Sequence, residues 1–481
     1  MARREEWWRD AVVYQIYPRS FQDSDGDGLG DIPGVTSRLD HLEWLGVDAV
    51  WLSPFYPSPG ADLGYDVADF TGVDPRLGTL ADVDELIEAA HARGLHVLLD
   101  LVPSHTSIEH PWFREHPTRY VWAEDGPLNN WRASFGGPAW SRDRGSGRWY
   151  LHSFYPEQPD LDWRNPDVRT AMGEVVRFWL DRGADGFRVD AADRLMKDAQ
   201  LRDDPPASEP FPLPLPAEYG ALEHIHSVDD PDIGIALRAL REAAGDALLI
   251  GEVYLPTARL HRYLDHFDLA FAFEFLHAPR DAARLAGVVR AAAELGRAAW
   301  VLSNHDFPRL VSRFGPAHAR AAAMLLLTLP GSAFIYQGDE IGMSDGPQGE
   351  PPVDRAGRDP FRSPMQWTPE PGGGFTAGVP WLPLADPELC SIAAERDERG
   401  SMLSLYRALI EVRRSLGPQI DSIEAKGGLL TYRRGSYLVA VNLGDEDEPL
   451  NAGGEPVLGT APGVDPSALS PGDGLIALEP G

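Results

Sequence analysis

The chain is predicted to fold as an α/β protein, a (β/α)8 barrel with an inserted subdomain after its third strand and a small antiparallel β domain at its C-terminus. Three observations predict it. Eight short apolar runs recur between Val12 and Glu340, helical patterns separate them, and the last stretch changes to strict alternation of apolar and polar residues. Continuous apolar runs suit parallel strands covered on both faces, whereas alternation suits an antiparallel sheet with one wet face.

The runs are VVYQIYP (12–18), AVWLSP (49–54), HVLLDLV (96–102), GFRVD (186–190), LLIGEV (248–253), DLAFAF (268–273), AAWVLSNHD (298–306) and SAFIYQGDE (332–340). Between them lie TLADVDELIEAAHARG, VRTAMGEVVRFWLDRG and ARAAAMLLLTLPG, the first with acidic residues early and Gly at its end, as a helix prefers. Eight strands alternating with helices favour a closed barrel over an open sheet. Residues 1–105 and 166–415 are assigned to the barrel and 106–165, rich in Trp, Pro, Gly and Arg, to the insertion. A second long connection, 338–398, is rich in Gly and Pro and contains PFRSPMQW; 201–216 reads as a mobile rim loop. After a last helix near Leu403–Ser415, GLLTYRRGSYLVAVNLG opens the C-terminal β domain, 416–481.

Composition narrows the function. With 481 residues and 43% hydrophobic content the chain can bury a large core, and no run of about 18 apolar residues predicts a membrane helix. The N-terminus MARREEWWRD lacks the apolar segment of a secretory signal, and the single Cys390 fits a reducing, cytoplasmic setting. A net charge of −31 argues against nucleic acid and for a neutral substrate. A monomer or homodimer is expected.

In a barrel of this kind the chemistry lies at the C-terminal ends of the strands. The second strand leads to Tyr65 and Asp66, and the third ends in Asp100 and His105. The fourth ends in Arg188 and Asp190, the fifth in Glu252, the seventh in Asn304, His305 and Asp306. One strand-end carboxylate commonly caps a turn; polar groups on five strand ends converge on one place. The sequence holds no G-x-S-x-G elbow, no P-loop and no H-E-x-x-H. Carboxylates, two histidines, an arginine and flanking aromatics fit glycoside chemistry, in which one carboxylate attacks the anomeric carbon and another protonates the leaving oxygen. Tyr65, Phe154 and Trp367 are candidate platforms for sugar faces.

DLVPSHTS, DGFRVDAAD, GEVY and LSNHD occur in the order of the four signature regions of the α-amylase family, glycoside hydrolase family 13, which the chain resembles over nearly its whole length. GVDAVWLSP, QPDLDW and YQGDEIGM match further motifs. VVYQIYPRSFQDSDGDGLGD and RSPMQW look most like the α-glucosidase and oligo-1,6-glucosidase branch. The resemblance implies that Asp190 is the nucleophile, oriented by Arg188, that Glu252 is the general acid and then base, and that Asp306 stabilises the transition state. It implies that His105 and His305 bind hydroxyls of the same sugar, while Asp66 and Arg362 close its non-reducing end above Tyr65. A retaining exo-acting α-glucosidase follows, its two carboxyls about 5–5.5 Å apart. Its expected substrates are oligosaccharides or small α-glucosides. A transglucosidase, a trehalose synthase-like or a sucrose-using relative shares the first half-reaction. A non-catalytic binding or transporter-partner homologue fits poorly, since Asp190, Glu252 and Asp306 are all present.

Two positions depart from the family pattern. Ser104 stands where Asn usually precedes the histidine, which removes a calcium ligand of the endo-acting amylases. Ala191 follows the nucleophile, and in this branch a small residue there accompanies α-1,4 or broad specificity. DSDGDGLGD (23–31) begins like an EF-hand loop, but its twelfth position is Gly34, not an acid, and a strand precedes it. By resemblance, Asp23, Asp25, Asp27, Asp31 and the Leu29 carbonyl are instead the ligands of a structural Ca2+ or Mg2+. Four carboxylates so close would repel one another without a cation. No organic cofactor is expected.

Overall fold

Burial on both faces explains why the eight apolar runs are continuous. In the computed structural model, which describes residues 6–208 and 215–480, each run is a strand. They are β1 (Val12–Ile16), β2 (Ala49–Leu52), β3 (His96–Leu101), β4 (Gly186–Val189), β5 (Leu248–Gly251), β6 (Leu269–Phe271), β7 (Ala298–Val301) and β8 (Ser332–Tyr336). They pair in parallel and in chain order, and β8 returns to β1 to close the barrel. Val13, Trp51, Leu98, Ile250, Phe271, Val301 and Phe334 fill the interior, so the barrel is a packed core and not a pore. Tyr14, Ile16, Val50, Leu52 and Leu99 belong to the larger core outside it.

Register places the chemistry. Asp100 on β3 pairs with Arg188 on β4, and Val189 pairs with Gly251 on β5. Asp190 and Glu252 therefore leave their strands at the same height, one residue above that pairing.

The helices begin where capping residues stand. Thr79 and Asp82 form a reciprocal capping box at the start of Leu80–His91, and Asn165 with Pro166 opens Pro166–Asp181. Helix Ala319–Thr328 is buried at all but one residue. The carbonyls near its end, which lack intrahelical partners, accept from two buried arginines. Arg413 donates to Leu327 and Leu329 (2.7 Å each), and Arg434 donates to Thr328 (2.8 Å). Arg413 ends the helix Met402–Arg413, close to the Leu403–Ser415 expected.

The insertion is less irregular than expected. It contains the helix Pro111–Glu115 and an antiparallel sheet of Trp122–Ala123, Trp149–Leu151 and Trp140–Arg142. Its strands are only two or three residues long, too short to print a period on the sequence. The C-terminal region holds a five-stranded antiparallel sheet, ordered Ser422–Lys426, Leu429–Arg434, Tyr437–Asn442, Gly474–Leu478, Glu455–Gly459. Part of the rim loop, 209–214, lies outside the described residues, while Leu215 and Pro216 border the large cavity at the barrel mouth. Among the described residues no helix is long and apolar enough to cross a membrane.

Trp179 tests the packing. Fully buried, it donates its Nε1 hydrogen to the Phe70 carbonyl at 2.8 Å and meets Phe55 edge-on at 5.4 Å. Trp179→Ala is expected to cost about 3–5 kcal/mol in urea unfolding; a loss under about 1 kcal/mol would contradict that packing.

Candidate active site

Arg188 organises the barrel mouth. Its guanidinium, 2% exposed, donates to Asp100 (2.7 Å) and Asp190 (2.6 Å) and meets Glu252 Oε1 at 2.5 Å. Glu252 Oε2 accepts the backbone N–H of Ala191 at 2.9 Å. Ala191 has φ +44°, a left-handed conformation rare outside glycine, and that turn aims its N–H across the site. Nothing in the sequence but the residue's small size signalled this bend.

Burial raises the carboxyls of Asp100 and Asp190 together, and the Arg188 cation between them opposes the rise. Burial pushes Glu252 up to about 8, again against Arg188, with the Asp190 charge adding to the rise. One cation among three carboxyls favours retention of a proton, and Glu252 is the group pushed highest.

Asp306 is set apart. Its Oδ1 accepts from Arg358 (2.8 Å) and Arg362 (3.1 Å), and its Oδ2 lies 3.3 Å from His305 Nε2. Burial works against its anion, but the Arg358 and Arg362 guanidiniums, with the His305 imidazole beside them, outweigh that and hold its carboxyl well below the usual range. Burial pushes His305 itself down to about 3, so it is neutral and the two guanidiniums carry the charge.

His305 is sandwiched between Tyr65 (5.3 Å, 4°) and Tyr17 (5.8 Å, 14°); Gln15 meets its Nδ1, and its Nε2 has no hydrogen-bond partner among the described residues. Tyr65 donates its hydroxyl to Asp100 at 3.0 Å. His105 Nδ1 pairs with the Ser104 hydroxyl at 2.8 Å, and its Nε2 lies 3.0 Å from both the Tyr65 carbonyl and the Gln158 amide. A cavity of about 1180 Å3 opens above, bordered by Tyr65, His105, Phe154, Asp190, Ala191, Glu252 and Asp306.

Three sequence-based expectations need correction. Asp66 does not face the cavity. It is fully buried, and its carboxylate accepts from the Ser58 hydroxyl and the backbone N–H groups of Gly60, Ala61 and Asp62, so it shapes its own loop. Arg362 is also fully buried, gripping Asp306 and the His305 carbonyl from behind. The residues that border the cavity are Asp62 and Arg358, joined in an ion pair. Each stands four positions before the residue the sequence suggested, so the motif pointed to the right loops and the wrong members. Trp367 is no platform: it donates to the Phe21 carbonyl at 2.8 Å and packs edge-on against Phe21 and His41. The sequence also missed Gln158, which links Asp62 (3.0 Å) to His105.

In the 23–31 loop, Asp23, Asp25 and Asp27 each bring a carboxylate oxygen within 4.8 Å of the others. Such a hard-oxygen set fits Ca2+ or Mg2+. Asp31 lies outside that group: it caps helix Ile32–Ser37 through Gly34 N–H (2.6 Å) and accepts from Ser24. The loop leans on the second long connection, for Thr376 donates to Asp23 and Trp381 N–H donates to the Gly28 carbonyl at 2.9 Å. Gly28 is needed there, with φ +96° and the Val379 carbonyl 1.9 Å from where a Cβ would sit.

Comparison with known proteins places the chain in a family. The model of the α-amylase catalytic domain matches residues 15–418. A probable α-glucosidase of Rhizobium meliloti is 40% identical, covering 89% of this chain and 87% of its own. The crystal structure of the α-glucosyl transfer enzyme XgtA superposes with a TM-score of 0.92 at 36% identity, over 99% of this chain and 100% of that one. The trehalulose synthase MutB of Pseudomonas mesoacidophila gives 0.87 at 30%, over 99% and 100%. With the barrel, the Arg188-centred carboxyls and these matches together, the chain belongs to the α-amylase family, glycoside hydrolase family 13, in its α-glucosidase branch.

Proposed function

We propose that this protein is a retaining, exo-acting α-glucosidase that releases glucose from α-1,4-linked or varied short oligosaccharides and small α-glucosides. The observation that carries the reading is Arg188 holding Asp190 and Glu252 at one height on adjacent strands, within reach of one scissile bond. Asp190 attacks the anomeric carbon while Glu252 gives its proton to the departing oxygen. The leaving alcohol exits, and Glu252, now a carboxylate, takes a proton from the water that attacks the glucosyl ester and restores Asp190. Asp306, held ionised by Arg358 and Arg362, faces the positive charge that develops on the ring. The Asp62–Arg358 pair forms the closed end of the sugar subsite, which restricts cleavage to terminal residues.

Likeness to a transfer enzyme and a trehalulose synthase supports a second reading, in which a bound sugar rather than water takes the glucosyl group. A panel of α-linked glucobioses and sucrose, with products identified, decides between them. Free glucose as the main product supports hydrolysis, new disaccharides support transfer, and absence of turnover on every member would refute both.

The metal loop has a structural part in this proposal. Asp23, Asp25 and Asp27 would hold a Ca2+ or Mg2+ ion that neutralises the cluster and fixes the loop against 375–381. Chelation is expected to lower the Tm by several degrees and to release about one ion per chain, measured by calorimetry and elemental analysis. A metal-free protein with an unmoved Tm would reject it.

Two further outcomes are expected. The pH profile of kcat/KM is a bell, because catalysis needs Asp190 ionised and Glu252 protonated. Its acidic limb lies above the ordinary carboxylate range and its basic limb near pH 8. A plateau continuing past pH 10 would contradict the assignment of Glu252. Asp190→Asn and Glu252→Gln should each lower kcat by roughly 100-fold to 10,000-fold or more, with the fold retained by circular dichroism.

A further inference from the structure

The cavity continues past the reacting carboxyls, and Arg194 stands on that side. It closes the short turn Ala192–Arg194, four residues after Asp190, and borders the same cavity. Because the Ala191 N–H at the head of this turn bonds Glu252, the turn lies on the side where the proton is delivered, away from the Asp62–Arg358 end. The Arg194 guanidinium is held between the rings of Phe154 (5.3 Å), from the insertion, and Tyr219 (5.5 Å), from the short helix Ala217–Gly220. Tyr219 is fixed in turn by stacking on His224 at 3.8 Å.

Arg194 is 8% exposed, yet among the described residues its guanidinium makes one hydrogen bond: Nη2 donates to the Tyr219 hydroxyl at 2.6 Å. A guanidinium carries five N–H donors, and the others find no acceptor among the described residues. The buried anions of Asp193 and Asp160 balance its charge, so what is left unmet is the hydrogen-bonding capacity of its N–H edge. Burying a permanent charge with most donors unused is unfavourable unless something in the cavity accepts from it. Two aromatic faces fix the plane of the group, so its donors are presented in advance rather than ordered on binding.

We propose that Arg194 is a specificity-determining residue for the leaving group: its open N–H edge donates to hydroxyls of the sugar or polyol that departs from, or attacks, the anomeric carbon. This rests on the glucosidase reading above and names the residue that recognises the far side of the scissile bond. It favours a polyhydroxylated leaving group over a bare alcohol or halide, because only the former supplies oxygen acceptors. The link through Tyr219 makes the short helix Ala217–Gly220 part of the same recognition unit.

The experiment compares maltose with α-glucosyl fluoride, whose leaving group has no hydroxyl, in the wild type, Arg194→Met and Tyr219→Phe. Met keeps an apolar stem between the two rings and removes the donors. In Arg194→Met, kcat/KM for maltose is expected to fall about 10–100-fold, the scale of hydrogen bonds to a charged group. The fluoride should fall several-fold less, and capture of the glucosyl intermediate by added glucose should drop in parallel. Tyr219→Phe, which leaves the charge and loosens only its pin, is expected to move the maltose-to-fluoride ratio the same way by a smaller factor. Equal losses on both substrates would mean a structural role and would overturn the proposal, as would an unchanged ratio in both variants. Wild-type protein that cleaved neither substrate would overturn the glucosidase reading and this inference with it.

Discussion

One guanidinium shared among three buried carboxyls is the constraint on which the site depends. Arg188 cannot lose its proton, and Asp100, Asp190 and Glu252 all lie within hydrogen-bond distance of it. A cation there lets a carboxylate persist inside the barrel mouth, where burial alone would neutralise it. A third carboxyl exceeds what one cation can balance, so a proton stays in the group. Acid and nucleophile thus arise from one residue placed by strand register. Removing Arg188 would leave several acids without their counter-charge, a far larger disturbance than the loss of one hydrogen bond.

A second layer of arginines fixes what the barrel strands alone would leave loose. Arg358 and Arg362 come from the long connection after β8 and reach back to Asp306 after β7, and Arg358 continues to Asp62 after β2. Three loops are thereby joined around one sugar-sized space. The same connection runs on through Thr376 and Trp381 to the acidic loop after β1. The DSDGDGLGD stretch is thus tied to the segment that carries the arginines, and it does not itself border the cavity. The insertion contributes from the other side, with Gln158 on Asp62 and Phe154 on Arg194.

The barrel was legible because strands buried on both faces leave continuous apolar runs and helices begin at capping residues; all eight runs became strands. The acids at the strand ends were legible for the same reason, since where an apolar run ends is where the mouth begins. What the sequence hid was contact between loops. Asp62 and Asp66 are equally acidic and four residues apart, as are Arg358 and Arg362 in charge and spacing. Only the fold decides which member faces the cavity and which is used up by local N–H groups. Trp367 looked like a sugar platform because a tryptophan beside a functional motif gives no hint of its depth. The left-handed turn at Ala191 and the two rings around Arg194 depend on backbone dihedrals and on residues from distant segments, which no spacing rule records.

The identity of the carboxyl that bonds to the sugar decides the mechanism. Trapping the intermediate with 5-fluoro-α-D-glucosyl fluoride and mapping the labelled peptide by mass spectrometry reads that directly. The expected result is one added fluoroglucosyl group per chain, on the peptide containing Asp190. A label on Asp100, Glu252 or Asp306 instead, or an enzyme that turns over without ever carrying one, would contradict it.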